Sequence, residues 1–538
     1  MTTTTSSTWR RCAAVAILLA PFLLSAAAAD ARTLVFCSEG DPEGFNPALY
    51  TSGTTFDAGS RQIFDRLVEF APGSTQTVPG LAESWTVSAD GLVYSFRLRR
   101  GVKWQTTRDF SPSRDFNADD VVFTFLRQLR DTHPFHRVSG GQYPYFGAMD
   151  MPEILADVVR VDDYTVEFRL RRIEAPFLAD LAMDFASIQS AEYAERMQRA
   201  GTPEQFDQRP VGTGPYQLVS YARGSTIRYA AHPTYWRGAA QSDDLVFAIT
   251  PDPATRYLRL RARECDVMAS PNPGDVAAMK RDASLRVLEL AGLGVSYVAL
   301  NTQHAPFNDV RVRRAVNAAI DKDAIVRAVF GGNAQPANGP LPPSVWSHDP
   351  RVRAPSHDPA EARRLLAEAG VAANTRVTLW AMPVQRPYNP NAKLMAELIQ
   401  ADLKAVGLQA DIVTYEWADY LARSRAGEHD MLMLGWISDN GDPDNFLAPI
   451  LSCAAAQTGE NRARWCNPRM DTAIREAALT TDVARRTTLY QQAQAIFAEE
   501  VPWIPIAFPP DLLVLRAPVQ GYQQNPFGLH AFYGAYVP

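Results

Sequence analysis

The period of the apolar positions changes along the chain, and the stretch from Arg376 to Trp436 shows this most clearly. Val377 to Ala381 reads as a strand. Ala392 to Val406 carries Leu394, Met395, Leu398 and Ile399 at helical spacing, and Leu408 to Tyr415 returns to a strand pattern. A short helix around Asp419 to Arg425 and an apolar strand, Met431 to Trp436, complete the run. This alternation predicts a largely parallel sheet with right-handed crossovers. In open sheets of that kind ligands lie beyond the carboxyl ends of the strands. Two loops leave such ends, Met382 to Pro390 and Ile437 to Asn445, and these are the candidate binding loops.

Other elements are announced by their boundaries. Val93 to Arg99 alternates as a strand, and Asn117, followed by Asp119 and Asp120, caps a predicted helix through Leu129. Asp358-Pro359-Ala360-Glu361 supplies an N-cap, a first-turn proline and a capping-box glutamate, and Gly370 stops that helix. Val211 to Pro215 has a superficial likeness to a dinucleotide turn, but the third glycine is absent and a proline follows, so it reads as a tight connection. There is no tandem repeat. The 39 prolines are dispersed, as in a chain with many ordered loops between short elements.

The first 31 residues have a different character. Arg10 and Arg11 precede an apolar run from Cys12 to about Leu24 and a small-residue stretch from Ser25 to Ala31. Those are the parts of a secretory signal peptide, with cleavage expected after Ala31 and Ala29 as the alternative. The strongly apolar core, roughly 13 residues, falls short of the ~20 that a membrane span needs. Cys12 lies before that core, which argues against a lipid-anchored cysteine. No later segment is apolar enough to span a membrane. A chain of 538 residues exceeds what one hydrophobic core supports, so at least two lobes are expected. The formal net charge of −6 gives no electrostatic basis for a nucleic-acid partner.

Four cysteines follow the leader: Cys37, Cys265, Cys453 and Cys466. In an exported protein an even number favours disulfides, and four cysteines allow three connectivities. Cys453 and Cys466 are the local pair, closing a loop of about 14 residues for roughly 3 kcal/mol on the chain-entropy model. Cys37 and Cys265 then remain. Four buried free thiols are the alternative, and no C-x-x-C spacing suggests zinc.

Catalytic signatures are missing. The sequence has no G-x-S-x-G, no H-E-x-x-H and no glycine-lysine phosphate loop. His133 and His136 stand three apart around a proline, which fits an exposed loop better than a metal site. Asp439, Asp442 and Asp444 lack the glutamate that a calcium loop requires, since Ile450 and Cys453 occupy the candidate positions. Neither enzymatic activity, a metal nor a cofactor is expected.

Several segments nevertheless form a recognisable set. LVFCSEGDPEGFN (Leu34 to Asn46), PGLAESW (Pro79 to Trp85), GVKW (Gly101 to Trp104), FNADDVVF (Phe116 to Phe123) and GTGPY (Gly212 to Tyr216) resemble the peptide and nickel branch of periplasmic solute-binding proteins of bacterial ABC importers. WAMPVQRPYNPN (Trp380 to Asn391), GWISDNGDPDNF (Gly435 to Phe446), and Ser452-Cys453 with Trp465-Cys466 resemble its dipeptide-binding members more narrowly. The resemblance implies a two-lobed α/β fold with mixed sheets and an extra subdomain in the first lobe. It places the first lobe at 32–291, with the subdomain at about 66–211, the second lobe at 292–509, and a C-terminal return to the first lobe at 510–538. It also implies the disulfides Cys37–Cys265 and Cys453–Cys466.

By the same resemblance, Asp439 binds a ligand α-ammonium and Arg386 an α-carboxylate. Thr51, Ser52, Gly53, Thr54 and Thr55, with the backbone of Gly435 to Asp439, are similar to strands that hydrogen-bond the ligand main chain. Tyr388, Trp417 and Trp436 are candidates for the pocket wall or, equally, for core packing. Ile437-Ser438 precedes Asp439 where the family more often carries threonine and glycine. The implied partners are a dipeptide or peptide-like solute and an inner-membrane ABC permease, for a monomer in the periplasm.

Elementary chemistry favours the same residues. A dipeptide is a zwitterion, and enclosing it strips water from two charges, which is tolerable only if each meets an opposite partner. Arginine presents a planar fork to a carboxylate, and an aspartate accepts from an ammonium. Each extended residue adds ~3.3 to 3.6 Å, so two fixed charged anchors select one peptide length, while main-chain hydrogen bonds leave side chains unread. Against these roles stand two plainer ones: Asp439 turning its own loop and Arg386 in a surface ion pair. The competing functions are binding of haem, glutathione or another peptide-like solute by the same fold, and a secreted hydrolase.

Overall fold

The computed structural model describes residues 1–4, 32–353 and 355–538. The expected signal peptide lies largely outside the described residues. The chain divides into two units, Met1–Ala31 and Arg32–Pro538, and the second carries the architecture below.

Most strands of Arg32–Pro538 fall into three sheets. A seven-stranded sheet has the order Leu285–Leu290, Asp511–Arg516, Val267–Ala269, Thr33–Ser38, Asp244–Ile249, Thr226–Ala231, Tyr216–Ala222. Thr33–Ser38 pairs parallel with both neighbours, and the other pairings are antiparallel. A six-stranded sheet has the order Gln335–Pro336, Trp503–Phe508, Gly294–Leu300, Met431–Ile437, Thr375–Trp380, Leu408–Val413. A four-stranded antiparallel sheet runs Ala82–Val87, Val93–Leu98, Thr165–Leu170, Leu155–Asp162. Strands Val68–Phe70 and Thr77–Pro79 form a separate hairpin.

Each large sheet has its own core. Strands Gly294–Leu300 and Trp503–Phe508 are buried at every position, so they read as unbroken apolar runs and lie inside the six-stranded sheet. Their cluster takes its residues from Leu293 to Phe508. A second cluster, from Ala48 to Val211, surrounds the four-stranded sheet, whose strand Val93–Leu98 alternates between buried and partly exposed positions. A third, around the seven-stranded sheet, takes in Leu513, Leu515, Val519, Phe532 and Ala535 from the C-terminal residues. The chain leaves the seven-stranded sheet after Leu290, enters the six-stranded sheet at Gly294, and returns between Phe508 and Asp511. The two crossings touch: a Cβ on Gly292 would stand 2.5 Å from the Pro509 carbonyl oxygen.

The predicted elements around Arg376 to Trp436 form, with one correction. Thr375–Trp380, Leu408–Val413 and Met431–Ile437 are parallel to one another, but Gly294–Leu300 joins this group antiparallel. The sheet is therefore mixed, because a strand from distant sequence was drawn in by its apolar surface. The helices are Ala392–Ala405, with Met395 and Ile399 fully buried, and Trp417–Ala426.

Caps mostly form as read. Asn117 accepts from the Asp119 amide while Asp120 reaches back to the Asn117 amide, closing a capping box on Ala118–Leu129. Asp358 caps Pro359–Glu368 through the amides of Ala360 and Glu361. The expected capping-box role of Glu361 is corrected: its carboxylate bonds to Arg364 one turn on, because an arginine fork competes better than a backbone amide already near water. Gly370 takes φ +72° just past the helix end. Gly212 and Gly214 lie against the backbone of Ile63, where a Cβ would collide, which is the tight connection anticipated. His133 and His136 are half-buried instead of exposed. Desolvation and nearby Arg127 push His133 down to about 4. The His136 ring bonds to the Arg127 carbonyl.

Both disulfides are present, Cys37–Cys265 and Cys453–Cys466.

Candidate functional site

The site lies at the carboxyl ends of the adjacent parallel strands Thr375–Trp380 and Met431–Ile437. Leu379 and Trp380 pair with Met431 and Leu432, so the second strand projects beyond the first. The loop from Met382 folds along that projection. Tyr388 lies on Gly435 so closely that a Cβ there would stand 2.2 Å from its ring, which explains glycine in the middle of a strand.

Arg386 is fixed within this loop. Its amide donates to the Asn389 carbonyl at 3.1 Å and its carbonyl accepts from the Asn389 amide at 2.9 Å. The half-buried guanidinium lies over the ring of Trp417, 5.0 Å from its centroid. Trp417 stacks on Tyr420, with centroids 5.6 Å apart and planes 21° apart. The Tyr420 hydroxyl donates to the carbonyls of Trp380 and Met433. Thus a column from Arg386 through Trp417 and Tyr420 rests on the backbone of both strands. Among the described residues Arg386 makes no ion pair; its guanidinium donates to the Gln385 carbonyl at 3.2 Å. Burial raises the Tyr388 hydroxyl to about 12, with the Arg386 charge opposing, so the group stays protonated.

The second loop turns by means of other residues than Asp439. The Ser438 hydroxyl accepts from the Gly441 amide, Asn440 from the Asp442 amide, Asp442 from the Asp444 amide, and Asn445 from the Asp439 amide. Gly441 has φ +72° and abuts Thr75, where a Cβ would collide. The Asp439 carboxylate is thereby released from loop-turning. It accepts instead from the Tyr145 hydroxyl at 2.6 Å, a residue 294 positions away on helix Pro144–Ala148. Burial pushes this carboxyl up to about 6, the charge of Asp184 adds to the rise, and hydrogen bonds from Tyr145 and Asn445 oppose it.

The expectation for Thr51 to Thr55 is corrected. Gly53–Ala58 is a short helix with Ser52 as its extended N-cap residue, not a strand. The local cause is the run of hydroxyls: Ser52 donates to Thr55 at 2.9 Å, Thr55 accepts from the Glu43 amide, and Thr54 donates to the Asp41 carbonyl. Such side chains favour turns and caps over ladders. The residue after the segment, Phe56, packs on Tyr145 with centroids 5.7 Å apart. Trp436 is half-buried, and its indole N–H is buried without a hydrogen-bond partner among the described residues.

Two contacts escaped the sequence reading. One is Tyr145 on Asp439. The other is Asn440, whose side-chain amide donates to Asp180 at 2.7 Å. Both join residues brought together only by folding, and the aromatic run Tyr143 to Phe146 carries no spacing that would have signalled it.

The mixed α/β fold is that of the bacterial extracellular solute-binding proteins, family 5, and the chain belongs to that family: the model for its middle region matches residues 76–458. Within it, the chain is 52% identical over 507 residues to the dipeptide-binding protein of Escherichia coli (strain K12), covering 94% of this chain and 95% of that one. It is 49% identical to heme-binding protein A of Haemophilus influenzae, covering 94% and 92%. The crystal structure of a dipeptide-binding protein from Pseudoalteromonas sp. SM9913 in complex with Met-Leu superposes with a TM-score of 0.83 at 40% identity, covering 94% and 100%.

Proposed function

We propose that this chain is the solute-binding component of an ABC importer that captures dipeptides between two lobes and hands them to an inner-membrane permease. The carrying observation is the pair of anchors. Arg386 and Asp439 stand on loops at neighbouring strand ends, each held by its own scaffold and neither, among the described residues, consumed by an intramolecular ion pair. Asp439 receives the ligand ammonium and Arg386 its carboxylate. Tyr388, Trp417, Gly435 and Trp436 line the wall, and Thr51 to Thr55, at the start of helix Gly53–Ala58, contribute from the other lobe.

The lobes are 32–291 and 292–509, with 66–211 as a subdomain of the first and 510–538 returning to it. The two crossings that meet at Gly292 and Pro509 act as the hinge. The chain works as a periplasmic monomer after cleavage near Ala31, without enzymatic activity. Loss of about 2–5 kcal/mol of Met-Leu affinity in Asp439→Ala, measured by titration calorimetry, is the expected result. Unchanged affinity would reject the role of Asp439.

A second cargo has an observation in its favour. The haem-binding relative is nearly as similar as the E. coli protein, so haem is the competing ligand. Titration followed by haem absorption distinguishes the two: a saturable shift abolished by excess Met-Leu would mean a shared cleft.

A further inference from the structure

We propose that Tyr145 is a positioning residue of the binding cleft, whose hydroxyl occupies one acceptor position of the Asp439 carboxylate and leaves the others to a ligand ammonium. The inference rests on the reading of Asp439 as the ammonium anchor. An O–H to carboxylate distance of 2.6 Å is that of a charge-assisted bond. An ionised carboxylate has about four acceptor positions, so Tyr145 orients the group without exhausting it. The ring of Tyr145 is itself set by Phe56, and its hydroxyl is pushed well up by burial and by Asp439, which keeps it a donor.

The geometry also makes Tyr145 a reporter of closure. It belongs to helix Pro144–Ala148, packed with the four-stranded sheet, whereas Asp439 follows a strand of the six-stranded sheet. Their bond exists only when these parts meet. A ligand ammonium and the Tyr145 hydroxyl therefore stabilise the same ionised, closed arrangement, and each favours the other.

Among the described residues, the charge acting on Asp439 is that of Asp184. Asp184, in an ion pair with Arg61 at 2.8 Å, adds a repelling charge, Asn445 accepts from the Asp439 amide, and Tyr145 reaches its carboxylate from helix Pro144–Ala148. Removing the Tyr145 donor withdraws support from the ionised form alone. Because an ammonium binds that form, affinity falls as pH drops through the carboxyl's own range, and that acidic limb shifts upward without Tyr145.

The test is calorimetric titration of Tyr145→Phe, which keeps the ring on Phe56, with Met-Leu from about pH 5 to 8. The expected result is affinity about tenfold weaker at neutral pH and an acidic limb displaced to higher pH. Unchanged affinity, or affinity weakened by the same factor at every pH, would overturn the proposal. Asp439→Asn separates the two readings. If it binds Met-Leu as the unmodified protein does, the anchor assignment fails and this inference with it. If it loses Met-Leu while Tyr145→Phe leaves the limb in place, only the role of Tyr145 fails.

Discussion

The ring of Tyr388 packs on Gly435, with 2.2 Å between its Cδ2 and the position a Cβ would take. The contact ties the Arg386 loop to the strand that presents Asp439, so the spacing of the two anchors depends on an absent methyl group. Gly435→Ala also meets the Val295 carbonyl oxygen at 2.7 Å, which is backbone and cannot swing aside. The variant is expected to lose about 1–3 kcal/mol of stability, as overpacked sites do, and to weaken dipeptide binding. Urea unfolding and calorimetry on one preparation measure both.

Arg127 donates to Asp207 through two nitrogens, at 2.9 and 3.1 Å, and both side chains are almost wholly buried. Arg127→Ala would leave a buried carboxylate with the Asn46 side chain as its one remaining donor among the described residues. The expected cost is about 3–5 kcal/mol. Thermal unfolding reads it, and an unchanged midpoint would show that the pair contributes nothing net.

The two disulfides close loops of very different length, with sequence separations of 228 and 13. On the chain-entropy model, removing Cys37–Cys265 costs ~5 kcal/mol and removing Cys453–Cys466 ~3 kcal/mol. Paired serine substitutions should rank in that order in denaturant midpoint.

Glu174 shows how pH enters stability. Burial raises its carboxyl to about 7, and Arg172 at 3.4 Å only partly opposes this. The folded chain then holds a proton that the unfolded chain has released. That contribution is fully present below the ordinary glutamate range and is lost as pH rises through about 7. Glu174→Gln should therefore raise the unfolding temperature at pH 8, by at most about 3 kcal/mol in stability, and change little at pH 5.

The alternation around Arg376 to Trp436 was legible because each element there combines its own period with a clear stop, and the caps at Asn117 and Asp358 were legible because capping is local chemistry. The antiparallel entry of Gly294–Leu300 was not, since a strand buried on both faces has no alternation to betray its neighbours. Thr51 to Thr55 misled for a related reason. The segment resembles a ligand-binding strand of the family, while its own side chains close a helical turn. Asp439 and Arg386 were singled out by their resemblance to the family's ligand-binding residues, with their charge chemistry in agreement, but Tyr145 could not be, because its part lies in a contact 294 residues long.

The claim on which the rest depends is that both peptide termini are gripped. Titration calorimetry of the protein with Met-Leu, with N-acetyl-Met-Leu and with the Met-Leu amide tests it directly. Each block should weaken binding by about 2–5 kcal/mol, and each penalty should vanish in the matching variant, Asp439→Ala for the acetyl group and Arg386→Ala for the amide. Blocked dipeptides that bind as tightly as the free one would contradict the account.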